Sequence, residues 1–290
     1  MTRTAPVPRW VRRACPGLSA PRVLGARDGA PHVVGGETAT GPVVLKRYPR
    51  SECADAARRM RRVHRAVGAA GTTALAVPAL LACDAASGVL TQRLAPGRPL
   101  LPVLEGAARP RGLRAAADAL AALHHCDATL GRVTTLADHI ADLIHPHPHV
   151  VGRELPALAP RLRAVVGALA SHPRPRRAFC APIHRDAHAR QMLLDGPRLW
   201  LIDWDLAAMG DPALDVANFR VYLRTHVARG DDAAARFLDH YVRHDPGIDV
   251  RLPPYEALTC LRLACKAWRL RRPGWRQRLA TLLAAAEDRL

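Results

Sequence analysis

The sequence predicts an α+β chain folded as two lobes, a small β-rich lobe at residues 1–94 and a larger helical lobe at residues 95–290. Three observations predict it. Between Pro21 and Arg93, runs of β-branched residues alternate with glycine-bounded turns, the pattern of short strands. From Leu113 onward alanine and leucine recur at helical spacing. Between the two regimes, Ala95-Pro96-Gly97-Arg98-Pro99 shifts the composition and reads as a linker. A chain of 290 residues can bury a large core and exceeds the common single-domain size.

In the first lobe, strands are expected at 22–24, 32–34 and 42–48, with turns at 25–29 and at Gly35-Gly36. Residues 52–67 lack glycine and proline and suit a basic amphipathic helix ending near Gly68 and Gly71. Two more strands are expected at 80–84 and 88–93. In the second lobe, Leu113, Ala116, Ala117, Leu120 and Leu123 form one apolar helical stripe. Further helices are expected at 136–144, 155–170, 231–244, 255–269 and 276–290, around one β-like island at 179–203. His145-Pro146-His147-Pro148-His149 reads as a solvated loop between helices; fully extended, it would place three imidazoles on one side, as in a metal site. Pro273 and Gly274 stop a helix within the basic stretch 268–275.

Hydrophobic residues at 49% and charged residues at 23% are a globular balance, unlike a disordered or membrane chain. The net charge of +18 raises nucleic acid or an anionic surface as partners. Against this, lysine occurs only at Lys46 and Lys266, and the arginines are spread evenly beside abundant alanine, as a coding bias would leave them. Aromatic residues are 4%, and no alternation of arginine with aromatics suggests a base-stacking platform, so no specific nucleic acid partner is expected. Seven cysteines without a C-x-x-C pair fit reduced, mostly buried thiols. The N-terminal stretch has no continuous apolar run, so neither a signal peptide nor membrane insertion is expected, and the expected location is cytoplasmic.

The chemistry concentrates in the β-like island. Ile183-His184-Arg185-Asp186-Ala187-His188 leads to Gln191, then to an apolar run, a turn at Asp195-Gly196-Pro197, and a second apolar run ending at Asp203. The hairpin this implies brings Gln191 and Asp203 together at its open end. Their oxygens match the hard ligands that magnesium takes from protein, with water and phosphate completing its shell. Asp186, five residues before Gln191, is placed to accept a hydrogen bond from an attacking hydroxyl.

This segment resembles the catalytic loop and metal-binding hairpin of the aminoglycoside phosphotransferase family, relatives of the protein kinases. His184-x-Asp186-x-His188 resembles the family's H-G-D-x-H, with Arg185 in the glycine position, as in the kinase H-R-D. Ile202-Asp203-Trp204 resembles its I-D-W, and Gly210-Asp211-Pro212-Ala213-Leu214-Asp215 its G-D-P-x-x-D. The resemblance implies a bilobal protein-kinase-like fold and an ATP- and Mg2+-dependent phosphotransferase with an alcohol group as acceptor. It implies Asp186 as catalytic base, Gln191 and Asp203 as metal ligands, His184 and Asp215 as structural residues, and His188 as either a donor to the transferred phosphoryl group or a brace for the loop. Gln191 stands where asparagine is common, and its extra methylene moves the amide by about 1.5 Å.

Val43-Val44-Leu45-Lys46 resembles the strand whose lysine contacts the α- and β-phosphates. A lysine retained in so arginine-rich a chain points to a need for a compact ammonium. The turn from Gly25 to Gly29 is a candidate cover for the phosphates, and Gln92 and Leu94, beside the linker, complete the nucleotide-binding candidates. The family pairs its lysine with a helix glutamate; here Arg58-Arg59-Met60 stands in that place, and Glu52 and Asp55 are the acidic residues of the helix. Asp195 and Asp205 read as bland neighbours, a turn residue and a cleft-rim or solvent residue.

Only seven residues separate Asp203 from Asp211, too few for a protein-kinase activation segment. Helices carrying Arg220, Arg224, Arg229, Arg236 and Arg243 are expected to wall the acceptor cleft, which favours a neutral or anionic small molecule over a polycationic aminoglycoside. Two alternatives stay open: a peptide Ser/Thr kinase of natural-product maturation, and a nucleotide-binding pseudokinase acting as a scaffold for a protein partner.

Overall fold

The computed structural model of the chain describes residues 8–27, 30–173 and 179–290. Helix α1 (Arg9–Ala14) precedes an antiparallel meander of β1 (Ser19–Arg27), β2 (Ala30–Thr38) and β3 (Gly41–Arg47). Helix α2 (Arg50–Ala69), the short β4 (Leu75–Ala76), and strands β5 (Leu80–Asp84) and β6 (Val89–Arg93) follow. The sheet order is β1-β2-β3-β6-β5, so Lys46 on β3 sits centrally, opposite Val33 and Leu90. Burial explains the layers. Val34, Val43, Leu45 and Val89 pack with Val11 of α1, whereas Leu90 packs with Cys53, Ala56, Ala57 and Met60 of α2. The same helical stripe continues to Val63 and Val67, which join the larger core with Leu75.

Gly35 and Gly36 do not form the expected turn; they lie inside β2. A Cβ on Gly35 would come within 2.9 Å of Leu24, and one on Gly36 within 2.8 Å of Leu18 and the Ser19 carbonyl, so these glycines allow close strand packing. Gly25 likewise lies within β1, at a register shift rather than in a turn; Gly29 lies outside the described residues.

The rest of the chain is mostly helical. Strand β7 (Arg98–Pro99) leads to α3 (Leu100–Glu105), α4 (Arg109–His124), α5 (Leu136–Leu143), α6 (Pro148–Glu154) and α7 (Ala159–Ala170). Strands β8 (Ala181–Ile183), β9 (Met192–Asp195), β10 (Arg198–Leu201) and β11 (Ala208–Gly210) form the β-like island. Helices α8 (Ala213–His226), α9 (Gly230–Tyr241), α10 (Leu252–Leu270) and α11 (Trp275–Glu287) close the chain. Strands β9 and β10 form the expected hairpin, with Leu201 opposite Met192, and β4 and β7 flank it in one sheet. Strand β11 pairs with β8.

Helix α8 was not visible as a periodic pattern. Every residue from Ala213 to Phe219 is buried, so the helix has no polar face over that stretch. It contributes Val216 and Phe219 to one core and Leu214 and Val221 to the other, and thereby ties α4 and α9 to α10 and α11.

Candidate active site

Residues 184–191 form the loop between β8 and β9, and buried polar contacts hold it. Arg185 adopts a left-handed backbone, φ 67°, which costs a non-glycine residue roughly 1–2 kcal/mol. Asp215 offsets that cost by accepting the Arg185 amide at 2.7 Å and the His184 amide at 2.6 Å. Its carboxylate is fully buried, and burial alone would raise its pKa; His124, 3.2 Å away, and the His184 contacts outweigh this and lower it. The Tyr241 hydroxyl lies 2.6 Å from the other ring nitrogen of His124. Asn218 donates to the Arg185 carbonyl and accepts from Thr259.

His184 is buried with its ring edge against Trp204, Nε2 donating to the Ile202 carbonyl at 2.9 Å and Nδ1 accepting the Asp186 amide at 3.3 Å. One neutral tautomer satisfies both contacts. At the other end, Gly210 passes so close to β8 that a Cβ there would meet Ile183 at 2.6 Å.

Gln191 and Asp203 meet at the open end of the β9–β10 hairpin, Nε2 to Oδ2 at 3.1 Å. Asp203 is itself left-handed, φ 70°. From the first sheet, Lys46 reaches across to ion-pair with Asp203 and, at 2.5 Å, with Asp205. Burial lowers the Lys46 pKa, but the two carboxylates outweigh it and leave the pKa raised. Tyr48 donates to the second oxygen of Asp205 at 2.5 Å. Asp205 is therefore no bland neighbour: the short helical turn after Asp203 swings it back toward Lys46. No carboxylate of α2 serves Lys46 among the described residues. Glu52 is exposed, and Asp55 pairs with Arg58.

Asp186 opens onto a pocket of about 500 Å³ between α8, α10 and α11. Its Oδ1 is held by Arg262 of α10 at 2.7 Å, and His188 lies 3.7 Å from Oδ2. His188 stacks on Tyr222, with burial pushing its pKa down. The arginines expected to wall this cleft are elsewhere: Arg220 and Arg224 bind the buried Glu256, and Arg236 pairs with Asp232. The cations that line the pocket are Arg190, Arg262, Lys266, Arg272 and Arg278. The rarity of Lys266 in the sequence was the available signal for it. A second depression, about 580 Å³ beside α2 and residues 125–129, contains none of these groups. Gln92 pairs through its backbone with Val44, and Leu94 is partly exposed, its amide bonded to the Pro42 carbonyl.

The family model described as the phosphotransferase enzyme family matches residues 32–253, a span that contains Lys46, Asp186, Gln191, Asp203 and Asp215. The chain belongs to this family. With the family comes the enzyme class, a phosphotransferase with an alcohol group as acceptor. The phosphotransferase chain shares its fold with a thermostable mutant of aminoglycoside phosphotransferase APH(4)-Ia, at TM-score 0.67 and 20% identity over 97% of both chains. It also matches a choline/ethanolamine kinase family protein from Mesorhizobium loti, at TM-score 0.58 and 22% identity over 97% of this chain and 94% of that one. Choline kinase LicA from Streptococcus pneumoniae matches at TM-score 0.64 and 13% identity over 96% and 98%. The phosphotransferase fold is thus kinase-like, as the sequence predicted, with a β-sheet N-terminal region and a helical C-terminal region. No curated protein matches the sequence. No helix among the described residues is long and apolar enough to cross a membrane.

Proposed function

We propose that this phosphotransferase moves the γ-phosphoryl group of MgATP to a hydroxyl of a small neutral or anionic molecule, such as a metabolite or sugar. The observation that carries the reading is the position of Asp186, which faces the pocket on the same loop that delivers Gln191 to Asp203.

Asp186 accepts the proton of the acceptor hydroxyl as its oxygen bonds to phosphorus and the bond from the γ-phosphorus to the bridging oxygen breaks. Arg262 orients that carboxylate through Oδ1 and leaves Oδ2 for the hydroxyl. Lys46 has three donors; Asp203 and Asp205 take two, and the third serves the α- and β-phosphates. Asp203 and Gln191 fit a magnesium ion, since both carry hard oxygens and a half-turn of the Gln191 amide presents Oε1 beside Asp203. The ion, when bound, supplies neutralisation of charge on the phosphates. His188, stacked on Tyr222 and half-buried, braces the loop rather than donating to the phosphoryl group. Asp215 and His184 keep Asp186 in place. We assign Gly25, Gln92 and Leu94 to the nucleotide side, with Gly29 added on the sequence alone, and the protein to the cytoplasm.

A thermal shift series with ATP and GTP, with and without magnesium, tests this. Ligand at 100 times its dissociation constant adds roughly 2.7 kcal/mol to stability. No shift with either nucleotide overturns the reading. A second reading, a nucleotide-binding scaffold that transfers nothing, draws on the absence of an α2 carboxylate at Lys46; nucleotide binding without ADP formation on any acceptor supports it.

A further inference from the structure

The acceptor pocket is unevenly charged. Asp186 is its one carboxylate among the lining residues, and Arg262 already occupies it. Arg190, Lys266, Arg272 and Arg278 have no carboxylate partner among the described residues: Arg190 binds the Tyr222 hydroxyl at 3.1 Å, Arg278 lies 3.2 Å from His226, and Lys266 and Arg272 have no side-chain bond. This contrasts with the cations outside the pocket just described, where Arg220, Arg224 and Arg289 share Glu256. Burial, with Arg262, Arg269 and Arg272 nearby, pushes the Lys266 pKa down despite Asp186. An anion in the pocket would relieve that repulsion.

The unpartnered charge has a direction. His188, next to Asp186, stacks on Tyr222 at 5.1 Å, and Tyr222 stacks on His226 at 4.3 Å. His226 then meets Arg278 at 3.2 Å. This ladder of three rings separates the Asp186 end from the Arg278 end. Burial followed by Arg278 pushes the His226 pKa down to about 4, so its ring is neutral at physiological pH and accepts from the guanidinium. We infer that the acceptor is a hydroxyl compound that already carries an oxyanion, its hydroxyl at Asp186 and its anionic group held by Arg278 at the far end of the pocket, with Lys266 reaching it from the Asp186 side. The shared chemistry is a phosphate monoester or a carboxylate: both match the guanidinium fork, and a phosphate offers the ammonium a third oxygen. A cationic alcohol is disfavoured because it would add like charge to a pocket with one spoken-for carboxylate.

This inference rests on the phosphotransferase reading of the site, and its test separates the two. Magnesium with AMP-PNP is first shown to raise the melting temperature; if it does not, the kinase reading fails independently of the acceptor. With that complex saturated, glycerol 3-phosphate, glucose 6-phosphate and 3-phosphoglycerate are compared with glycerol and glucose by thermal shift and, with ATP, by ADP formation. At least one anionic alcohol should bind tenfold or more tightly than its neutral counterpart; comparing the carboxylate glycerate with glycerol 3-phosphate decides which oxyanion is used. The Lys266→Gln and Arg278→Gln variants should each lose fivefold or more of that affinity and keep AMP-PNP binding. Arg153→Gln and Arg243→Gln, which remove the same charge outside the pocket, should lose none. Equal binding of neutral and anionic alcohols, or an equal loss in the control variants, overturns the inference.

Discussion

Lys46 and Asp205 form an ion pair at 2.5 Å, although 158 intervening residues separate them in the chain and nothing in the local sequence marks Asp205. The pair joins the first sheet to the segment after the β9–β10 hairpin. Asp205→Asn keeps the shape and removes the charge. Nucleotide affinity should fall roughly tenfold, about 1.4 kcal/mol, with the fold intact by circular dichroism. Unchanged affinity would remove Asp205 from the nucleotide site.

Asp186→Ala tests the chemical step. Loss of a positioned base should lower turnover by roughly 10²–10⁴-fold. Nucleotide binding should persist, since Asp186 contacts Arg262 and His188 rather than the Lys46 cluster. Turnover within a few-fold of wild type in a steady-state assay would sink the assignment.

Asp203→Ala separates metal from nucleotide. It removes a carboxylate shared between Gln191 and Lys46, so the magnesium-dependent part of ATP binding should disappear in calorimetry. Binding without magnesium should fall no further than in Asp205→Asn, since Asp205 still holds Lys46. A magnesium response equal to that of wild type would place the ion elsewhere.

Glu256→Ala should destabilise the fold without touching the reaction. Glu256 is buried and binds Arg220 at 2.5 Å and Arg224 and Arg289 at 2.8 Å. Removing it strands partly buried guanidinium groups, at a cost of roughly 3–5 kcal/mol. Urea denaturation measures this directly.

Stability should fall with acid because of His139. The ring is buried, neither nitrogen has a hydrogen-bond partner among the described residues, and burial followed by Arg185 pushes its pKa down to about 3. In the unfolded chain it titrates near 6.5. As pH drops below about 6.5 the unfolded state takes up a proton that the folded state refuses, down to the folded pKa. From pH 7 to pH 5 this amounts to roughly 2 kcal/mol at about 1.4 kcal/mol per unit. His139→Leu should flatten that part of the profile; an unchanged profile would assign it to other groups.

Much of the site was legible because its parts are close in sequence. The loop 184–191 and the hairpin to Asp203 form one local unit, and the register of β9 and β10 brings Gln191 to Asp203 as the turn chemistry implies. Lys46 stood out by its rarity, in a strand whose neighbours are apolar. The start of helix α8 was not legible, because burial on every side from Ala213 to Phe219 erases periodicity there; only its arginine-bearing later turns were expected as helix. Gly35 and Gly36 misled because a glycine pair marks a turn and a close strand approach alike.

By itself, the sequence determined the fold class and marked a candidate catalytic loop, because strand alternation, helical stripes and turn residues act over a few positions. Tertiary structure decided the rest. Only folding brings Asp205 to Lys46, Arg262 to Asp186, and Lys266 and Arg278 into one pocket, since ion pairing and desolvation depend on distance in space. It also decided which arginines are neutralised. Glu256 absorbs Arg220 and Arg224, and the pocket keeps cations with no carboxylate of their own among the described residues.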